Sequence, residues 1–204
     1  MKRTVLCSRA VWLIAIFVLP ALSGENLTVD LDPARTKIDF VLSDVLHTVH
    51  GTFRLKEGHL SLDTATSAIT GDLIVDAASG DSGSPARDKR MTRDILEARR
   101  YPEIRFRPKK FVGSFSTSNT SNIEVTGLFL IHGQAHQITI PLQTQVSQHE
   151  ITATGKFIVP YVDWGMKNPS NFLLKVKDKV EIDLTFVAHL ETPVAPTDSK
   201  FDRP

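Results

Sequence analysis

The stretch VEIDLTFVAHL, residues 180–190, decides the fold of this chain. Its apolar side chains share one parity and its polar side chains the other, with Val187 as the exception. Successive side chains of a β-strand point to opposite faces, so this pattern predicts a strand with one apolar and one wet face. At about 3.3 Å per residue the strand would span roughly 35 Å, well beyond the usual length.

The same alternation of apolar and polar residues recurs in six further stretches. They are residues 38–42, 49–55, 69–75, 125–131, 138–146 and 151–159. Short polar sequences that favour turns separate several of them, such as Lys56-Glu57-Gly58 and His132-Gly133-Gln134. Sequential strands joined by short polar loops predict an antiparallel, all-β domain of roughly seven to nine strands, either a barrel or a sandwich.

Four glycines favour the barrel, because all of them fall on the apolar parity within strands. They are Gly51, Gly71, Gly127 and Gly155. Glycine within a strand marks a bulge, a bend or a close approach, and bends on the inner face help a sheet to close. We expect these glycines also to leave the interior partly unfilled. Four unrelated bulges in a packed sandwich are the alternative.

Residues 84–100 depart from the strand pattern. The dipeptide Ser84-Pro85 suits the N-cap and first position of a helix, and apolar residues follow at helical spacing over residues 91–98. Tyr101-Pro102 ends the predicted short amphipathic helix. Its polar side is rich in arginine, which favours either an anionic headgroup or an ordinary solvated face. The preceding loop, residues 80–84, is expected to be mobile.

The first 23 residues predict a secretory signal peptide, because three basic residues precede a short apolar run at 10–22 that ends in small residues. An uncleaved anchor is the alternative, but the run is short against the about 20 residues that span a bilayer. Export to the periplasm, or secretion, is therefore predicted. The domain is expected over residues 24–191, followed by a disordered tail at 192–204.

Composition argues against several classes of function. The single cysteine, Cys7, lies in the predicted signal peptide, so the core rather than disulfides must stabilise the exported domain. The net charge is only +1, which gives no indication of nucleic-acid binding. The seven histidines lack the helical pairing or acidic clustering of a metal site. The sequence predicts no metal, no cofactor and no catalytic residue.

Six strings, in this order and spacing, resemble the YceI-like family of exported lipid- or polyisoprenoid-binding proteins. They are HTVHGTF (47–53), ARDKRM (86–91), LEARRYPEIRF (96–106), GLFLIHGQAHQITI (127–140), VDWGMK (162–167) and DKVEIDLTF (178–186). The resemblance covers residues 31–190. It implies an elongated, lipocalin-like, eight-stranded antiparallel barrel with an apolar tunnel, which binds without catalysis. Tyr161 stands where many members have arginine, which leaves the preferred headgroup open.

The sequence thus predicts a periplasmic carrier or store for an isoprenoid, quinone or other long-chain amphiphile. The predicted tunnel lining is Phe40, Leu42, Phe53, Leu73, Phe106, Phe129, Ile131, Phe157, Trp164, Phe172, Leu184 and Phe186. The predicted headgroup contacts are Arg87, Arg90 and His132. The expected partner is the long-chain lipid or isoprenoid itself, with no nucleic acid and at most transient membrane contact; a homodimer is left open.

Two alternatives stand beside this prediction. One is an enzyme that acts on a lipid within the barrel, with His47, His50 or His132 as the acid–base group. The other is an envelope interaction module with a solid core and a partner on its outer face. A cavity in the barrel separates the last alternative from the other two.

Overall fold

The computed structural model describes residues 26–43, 47–116, 118–170 and 175–191, which form ten strand segments and one short helix. The strands are β1 Asn26–Leu31, β2 Lys37–Ser43, β3 Thr48–Phe53, β4 Leu55–Asp63, β5 Ala68–Asp76, β6 Glu103–Gly113, β7 Thr120–Ile131, β8 Gln134–Ser147, β9 Glu150–Val159 and β10 Val180–Glu191. The helix α1 spans Pro85–Arg90 and continues as a π-helical segment, Met91–Ile95. None of the described helices has the length and apolar character needed to cross a bilayer.

The sheet closes on itself as an eight-stranded antiparallel barrel. Around the barrel the strands follow the order β1-β4-β5-β6-β7-β8-β9-β10, and β10 pairs back to β1, from Thr28 to Leu31. The two remaining segments lengthen the wall: β2 pairs with the N-terminal half of β10, and β3 runs into β4 with only Arg54 between them. The predicted elongated, lipocalin-like barrel with one short helix is confirmed.

Strand β10 has the two faces that its sequence predicts. On the inner face, Ala188 and Leu190 are 0 % and 6 % exposed, whereas His189 between them is exposed. On the outer face, Asp183 forms a cross-strand ion pair with Lys156 of β9. Apart from Val187, the apolar residues of β10 therefore point into the barrel along its whole length.

Apolar side chains fill the barrel at both ends. The larger cluster lies where the β4–β5, β6–β7 and β8–β9 connections meet, and we call this the closed end. It includes Leu27, Leu62, Ile69, Phe111, Ile123, Val146 and Ile151. The second cluster, at what we call the open end, contains Ala77, Leu96, Ala98, Ile104, Ile131, Val159, Tyr161 and Met166. Several of its members come from the helical segment and from the β9–β10 connection, which together cover this end.

The helix is shorter than the sequence predicts. Ser84 takes the N-cap position, but its side chain makes no capping hydrogen bond. Glu97 adopts a left-handed φ of 48°, and its carbonyl accepts hydrogen bonds from the N–H groups of Arg100 and Tyr101. The prediction that the helix reaches residue 100 is wrong, because the chain reverses at Glu97 into a turn.

Hydrogen bonds hold the loop before the helix, residues 80–84, to the elements on both sides of it. The backbones of Thr52 and Asp81 exchange two hydrogen bonds, of 2.8 and 3.0 Å. The amide and hydroxyl of Ser82 both donate to the Asp88 carboxylate. These bonds tie the loop to β3 and to the first turn of α1, which gives no support to the expectation of mobility.

Candidate functional site

An apolar cavity of about 620 Å³ lies inside the barrel, between the two end clusters. Phenylalanine and aliphatic side chains form most of its wall, and most of its polar side chains lie where it approaches the helix; Thr36 and Arg105 are further polar residues on the wall. This volume falls within the roughly 300–1,000 Å³ that is typical of small-molecule sites. The interaction-module alternative requires a solid core, and the described interior does not have one.

The structure places ten of the twelve predicted lining residues on the wall of this cavity. They are Phe40, Leu42, Phe53, Leu73, Phe106, Phe129, Ile131, Phe157, Leu184 and Phe186. Phe172 lies outside the described residues. Trp164 is described but does not form part of the wall. Contact of any of these side chains with a ligand stays a prediction.

Trp164 lies behind the wall instead of on it. Strand β9 ends at Val159, and the turn that follows stacks the Trp164 ring on His136, with centroids 4.1 Å apart and planes at 5°. On its other side Trp164 contacts the cavity-lining Phe129, at 5.8 Å between centroids. Its role here is to support Phe129. Burial lowers the pKa of His136, because its charged form is poorly solvated there, and its buried Nε2 has no hydrogen-bond partner among the described residues.

The mouth of the cavity is the polar part of its wall. It lies between α1 and the segment that leads into β10, and its rim includes Ser82, Ser84, Ala86, Arg87, Arg90, Pro169 and Val176. Arg87 donates from Nε to the Ser82 hydroxyl and from Nη2 to the Ser82 carbonyl, each at 2.7 Å. Arg90 donates from Nη2 to the Pro169 carbonyl at 3.2 Å.

Neither of these two arginines pairs with a carboxylate of the described chain. The neighbouring Arg93, by contrast, donates from Nε to the Asp94 carboxylate at 2.7 Å. An arginine has five N–H donors, so Arg87 and Arg90 keep donors for another group. The mouth therefore presents two cationic side chains beside an apolar interior.

The three histidines of the enzyme alternative do not converge on the cavity. His47 and His50 are exposed, and neither forms part of its wall. The Nε2 of His132 lies 3.4 Å from a carboxylate oxygen of Glu97, and its ring contacts that of Tyr101 with 4.9 Å between centroids and planes tilted by 56°. The prediction of His132 as a headgroup contact finds no support, because these two neighbours hold its ring off the wall. Among the described residues, no group of His, Cys, Asp and Glu could hold a metal ion.

The inner-face glycines do not create the cavity. A Cβ atom on Gly51 would lie 2.3 Å from the ring of Phe40, and one on Gly155 would lie 2.5 Å from Leu142. Neighbouring side chains already occupy the space above both glycines. The expectation that these glycines leave room for a guest is therefore wrong; they allow the wall to pack closely.

Sequence reasoning missed the part of the wall that comes from the connections. Met91, Ile95 and Leu96 line the cavity from above, and their helical spacing was a usable signal. Tyr161 also lines it, and its hydroxyl donates to the Lys177 carbonyl at 2.8 Å. Burial, with a smaller contribution from the charge of Asp178, raises the pKa of Tyr161 to about 12. A neutral phenol therefore anchors the segment beside the mouth.

Comparison with known proteins identifies the family and the fold. The model of the YceI-like domain matches residues 30–188. The structure resembles Burkholderia cenocepacia BcnA, with 22 % identity and a TM-score of 0.63 over 78 % of this chain and 99 % of that one. It also resembles a polyisoprenoid-binding domain from Saccharophagus degradans implicated in plant cell wall breakdown, with 18 % identity and a TM-score of 0.64 over 80 % and 98 %.

A third similar structure is the Campylobacter jejuni YCEI protein, with 14 % identity and a TM-score of 0.52 over 96 % of this chain and 100 % of that one. At these identities the structural likeness concerns the fold alone. No curated protein sequence matches the chain.

Proposed function

Because the chain belongs to the YceI-like family, we propose that it binds an isoprenoid, quinone or other long-chain amphiphile inside the barrel, as a non-catalytic carrier or store in the periplasm. The observation that carries this proposal is the apolar cavity of about 620 Å³ with its polar, cationic mouth. The polyisoprenoid-binding domain with the same fold supports this class of ligand. The predicted signal peptide supports the location.

The binding mechanism is the removal of a hydrocarbon chain from water. A methylene group occupies roughly the volume of a water molecule, about 30 Å³, so the cavity accommodates a chain of about twenty carbons. Each buried methylene contributes ~0.8 kcal/mol before ordering costs, so about fifteen of them contribute roughly 12 kcal/mol gross. The net affinity is what remains of this gain after the loss of translational, rotational and chain freedom. Selectivity follows from cavity length and from the polar groups at the mouth.

The decisive experiment is native mass spectrometry of the protein isolated gently from its own cells. We expect a complex heavier than the bare chain by the mass of one lipid, which organic extraction removes and a second mass measurement identifies. A bare mass after gentle isolation, together with no uptake of added long-chain lipid, would contradict the proposal. Extraction of an unrelated exported protein, treated in parallel, controls for lipid that adheres during purification.

Arg87 and Arg90 are the proposed headgroup contacts at the mouth. Charge-assisted hydrogen bonds from a guanidinium to a phosphate or carboxylate oxygen are stronger than neutral ones. Arg87 is already engaged twice with Ser82, whereas Arg90 makes a single bond to a carbonyl. Arg90 is therefore the side chain that can be removed with less effect on the loop.

The change Arg90→Gln is expected to weaken binding of a long-chain alkyl phosphate by about tenfold, the value of one hydrogen bond to a charged group. Binding of the alcohol with the same chain should stay unchanged, because its hydrocarbon burial is the same. Competition with a fluorescent fatty acid measures both affinities. Arg99→Gln removes the same charge at an exposed position off the wall and serves as the control. An equal loss of affinity for the alkyl phosphate and for the alcohol would refute the role of Arg90 as a headgroup contact.

A further inference from the structure

The charges of the described chain are distributed unequally between its two ends. The connections that cover the open end, residues 77–102 and the described part of 160–179, carry ten Lys or Arg and six Asp or Glu. All other described residues carry nine Lys or Arg and thirteen Asp or Glu. With histidines neutral, the open end therefore has a net charge of +4, and the remainder of the described chain has −4.

Ion pairs neutralise many charges on the barrel wall. Lys56 of β4 pairs with Glu103 of β6 at 2.8 Å, and Arg107 of β6 pairs with Asp72 of β5 at 2.7 Å. Lys156 and Asp183 form a third pair between strands. Each pair removes one positive and one negative charge, so the net charges of +4 at the open end and −4 elsewhere persist, and the molecule is a dipole whose positive end is the open end.

The basic residues of the open end are accessible, and Arg87 and Arg90 lie on the rim of the mouth. All ten are exposed: Arg87, Lys89, Arg90, Arg93, Arg99, Arg100, Lys167, Lys175, Lys177 and Lys179. The rim also includes the exposed Ala86 together with Pro169 and Val176. An apolar opening at a positively charged end of the molecule matches the chemistry of a bilayer surface, where anionic headgroups lie above hydrocarbon.

We infer that the open end docks on an anionic phospholipid surface. This inference rests on the proposed function, because docking there would bring the mouth to the lipids from which a long-chain ligand is drawn. The ligand would then enter the barrel without crossing bulk water. Each basic residue near such a surface strengthens binding about fivefold, and the attraction fades within about 10 Å at 0.1 M salt. Docking is therefore reversible, as a carrier requires.

The test is sedimentation of the protein with lipid vesicles. We expect binding to phosphatidylcholine vesicles that contain phosphatidylglycerol, much weaker binding to phosphatidylcholine alone, and release at high salt. Lys175→Glu combined with Lys177→Glu should reduce binding to the anionic vesicles by at least about tenfold. The bonds from Lys177 to Ser43 and to Tyr161 involve its backbone only, so the substitution preserves them.

The matched control is Lys109→Glu combined with Lys110→Glu. It changes the net charge of the protein by the same amount at two exposed residues of β6, where Lys110 pairs with Ala68 at the closed end. Binding to anionic vesicles should stay close to that of the unmodified protein. Equal loss in the two double variants would refute docking through the open end and indicate an attraction set by total charge.

Ligand binding in free solution separates this inference from the proposed function. The Lys175→Glu, Lys177→Glu protein should still take up a neutral long-chain alcohol, because neither side chain lines the cavity. If native mass spectrometry finds lipid bound to the unmodified protein but the protein does not bind anionic vesicles, docking is refuted and the proposed function is not. An acidic protein would then be the partner of the open end. A protein that docks but never holds a lipid would overturn the proposed function.

Discussion

Replacing Phe186 with aspartate is expected to destroy the barrel, whereas the same replacement at the adjacent Thr185 is expected to leave it folded. Phe186 lies on the inner face of β10, lines the cavity and packs against the closed-end cluster. Its cross-strand neighbour on β9 is Ala153, which is 0 % exposed. An ionised carboxylate at this position would have no cationic partner and would lose the burial of the phenyl ring.

The combined cost of the Phe186→Asp change is at least about 5 kcal/mol, from the cavity left by the ring and from the buried charge. Domains of this size are stable by only about 5–15 kcal/mol, so most of the stability should be lost. Urea unfolding followed by circular dichroism measures this. At Thr185, the carboxylate would instead point to solvent and face Lys37 of β2 across the sheet.

A folded Phe186→Asp protein, with a melting temperature within a few degrees of the unmodified one, would contradict the apolar character of the cavity. It would show that water fills the deep part of the cavity and solvates the new charge. The hydrophobic contribution to ligand binding would then be absent. This pair of variants therefore tests the apolar character of the interior independently of any ligand.

The alternation of residue types was sufficient to find the strands that are buried on one face only. It failed for β6, because a bulge between Pro108 and Lys110 shifts the pairing with β7. Ile104 and Phe106 therefore lie on one parity and the buried Phe111 on the other. It also failed to place the break at Arg54, where β3 gives way to β4. A pattern of period two cannot follow a strand across an inserted residue.

The same reasoning explains which of the candidate lining residues lie on the wall of the cavity. Within a strand, parity determines the face, so Phe129 and Phe157 could be assigned to the interior from sequence. In a turn no period applies, and the direction of a side chain depends on backbone angles that sequence does not specify. His132, with its left-handed φ of 51°, and Trp164 are both such residues. Parity therefore predicts the fold and the strand part of the wall, whereas residues in turns, such as His132 and Trp164, were misplaced; of the mouth, Arg87 and Arg90 were predicted and the remaining rim residues were not.

Filling the cavity from two sides should shorten the longest chain that the protein binds. Leu73 of β5 and Leu184 of β10 both line the cavity and are only partly buried, so each side chain borders open space. Strands β4 and β1 separate β5 from β10 around the barrel, so the two residues belong to different parts of the wall. In the double variant Leu73→Trp, Leu184→Trp, two indole rings would occupy space that the hydrocarbon chain otherwise fills.

For the unmodified protein, affinity should rise about fourfold with each methylene until the cavity is full, since each contributes ~0.8 kcal/mol. If the two indoles displace about four methylenes, the double variant loses roughly 3 kcal/mol, or about a hundredfold, with the longest ligands. Short chains should bind as before, because they do not reach the filled region. Calorimetric titration with fatty acids of increasing length measures the longest chain that fits in the unmodified protein and in the double variant.

The control variant carries two tryptophans at exposed positions: Thr70→Trp on β5 and Thr154→Trp on β9, the neighbour of β10. These substitutions add the same two rings to the outer face of the barrel. This protein should reproduce the unmodified chain-length profile. An equal loss of affinity for short and long chains in the cavity variant would mean that the ligand does not extend through the barrel. Unchanged affinity for every length would place the ligand at the mouth or on the outer surface, and solvent exclusion by the cavity would no longer explain binding.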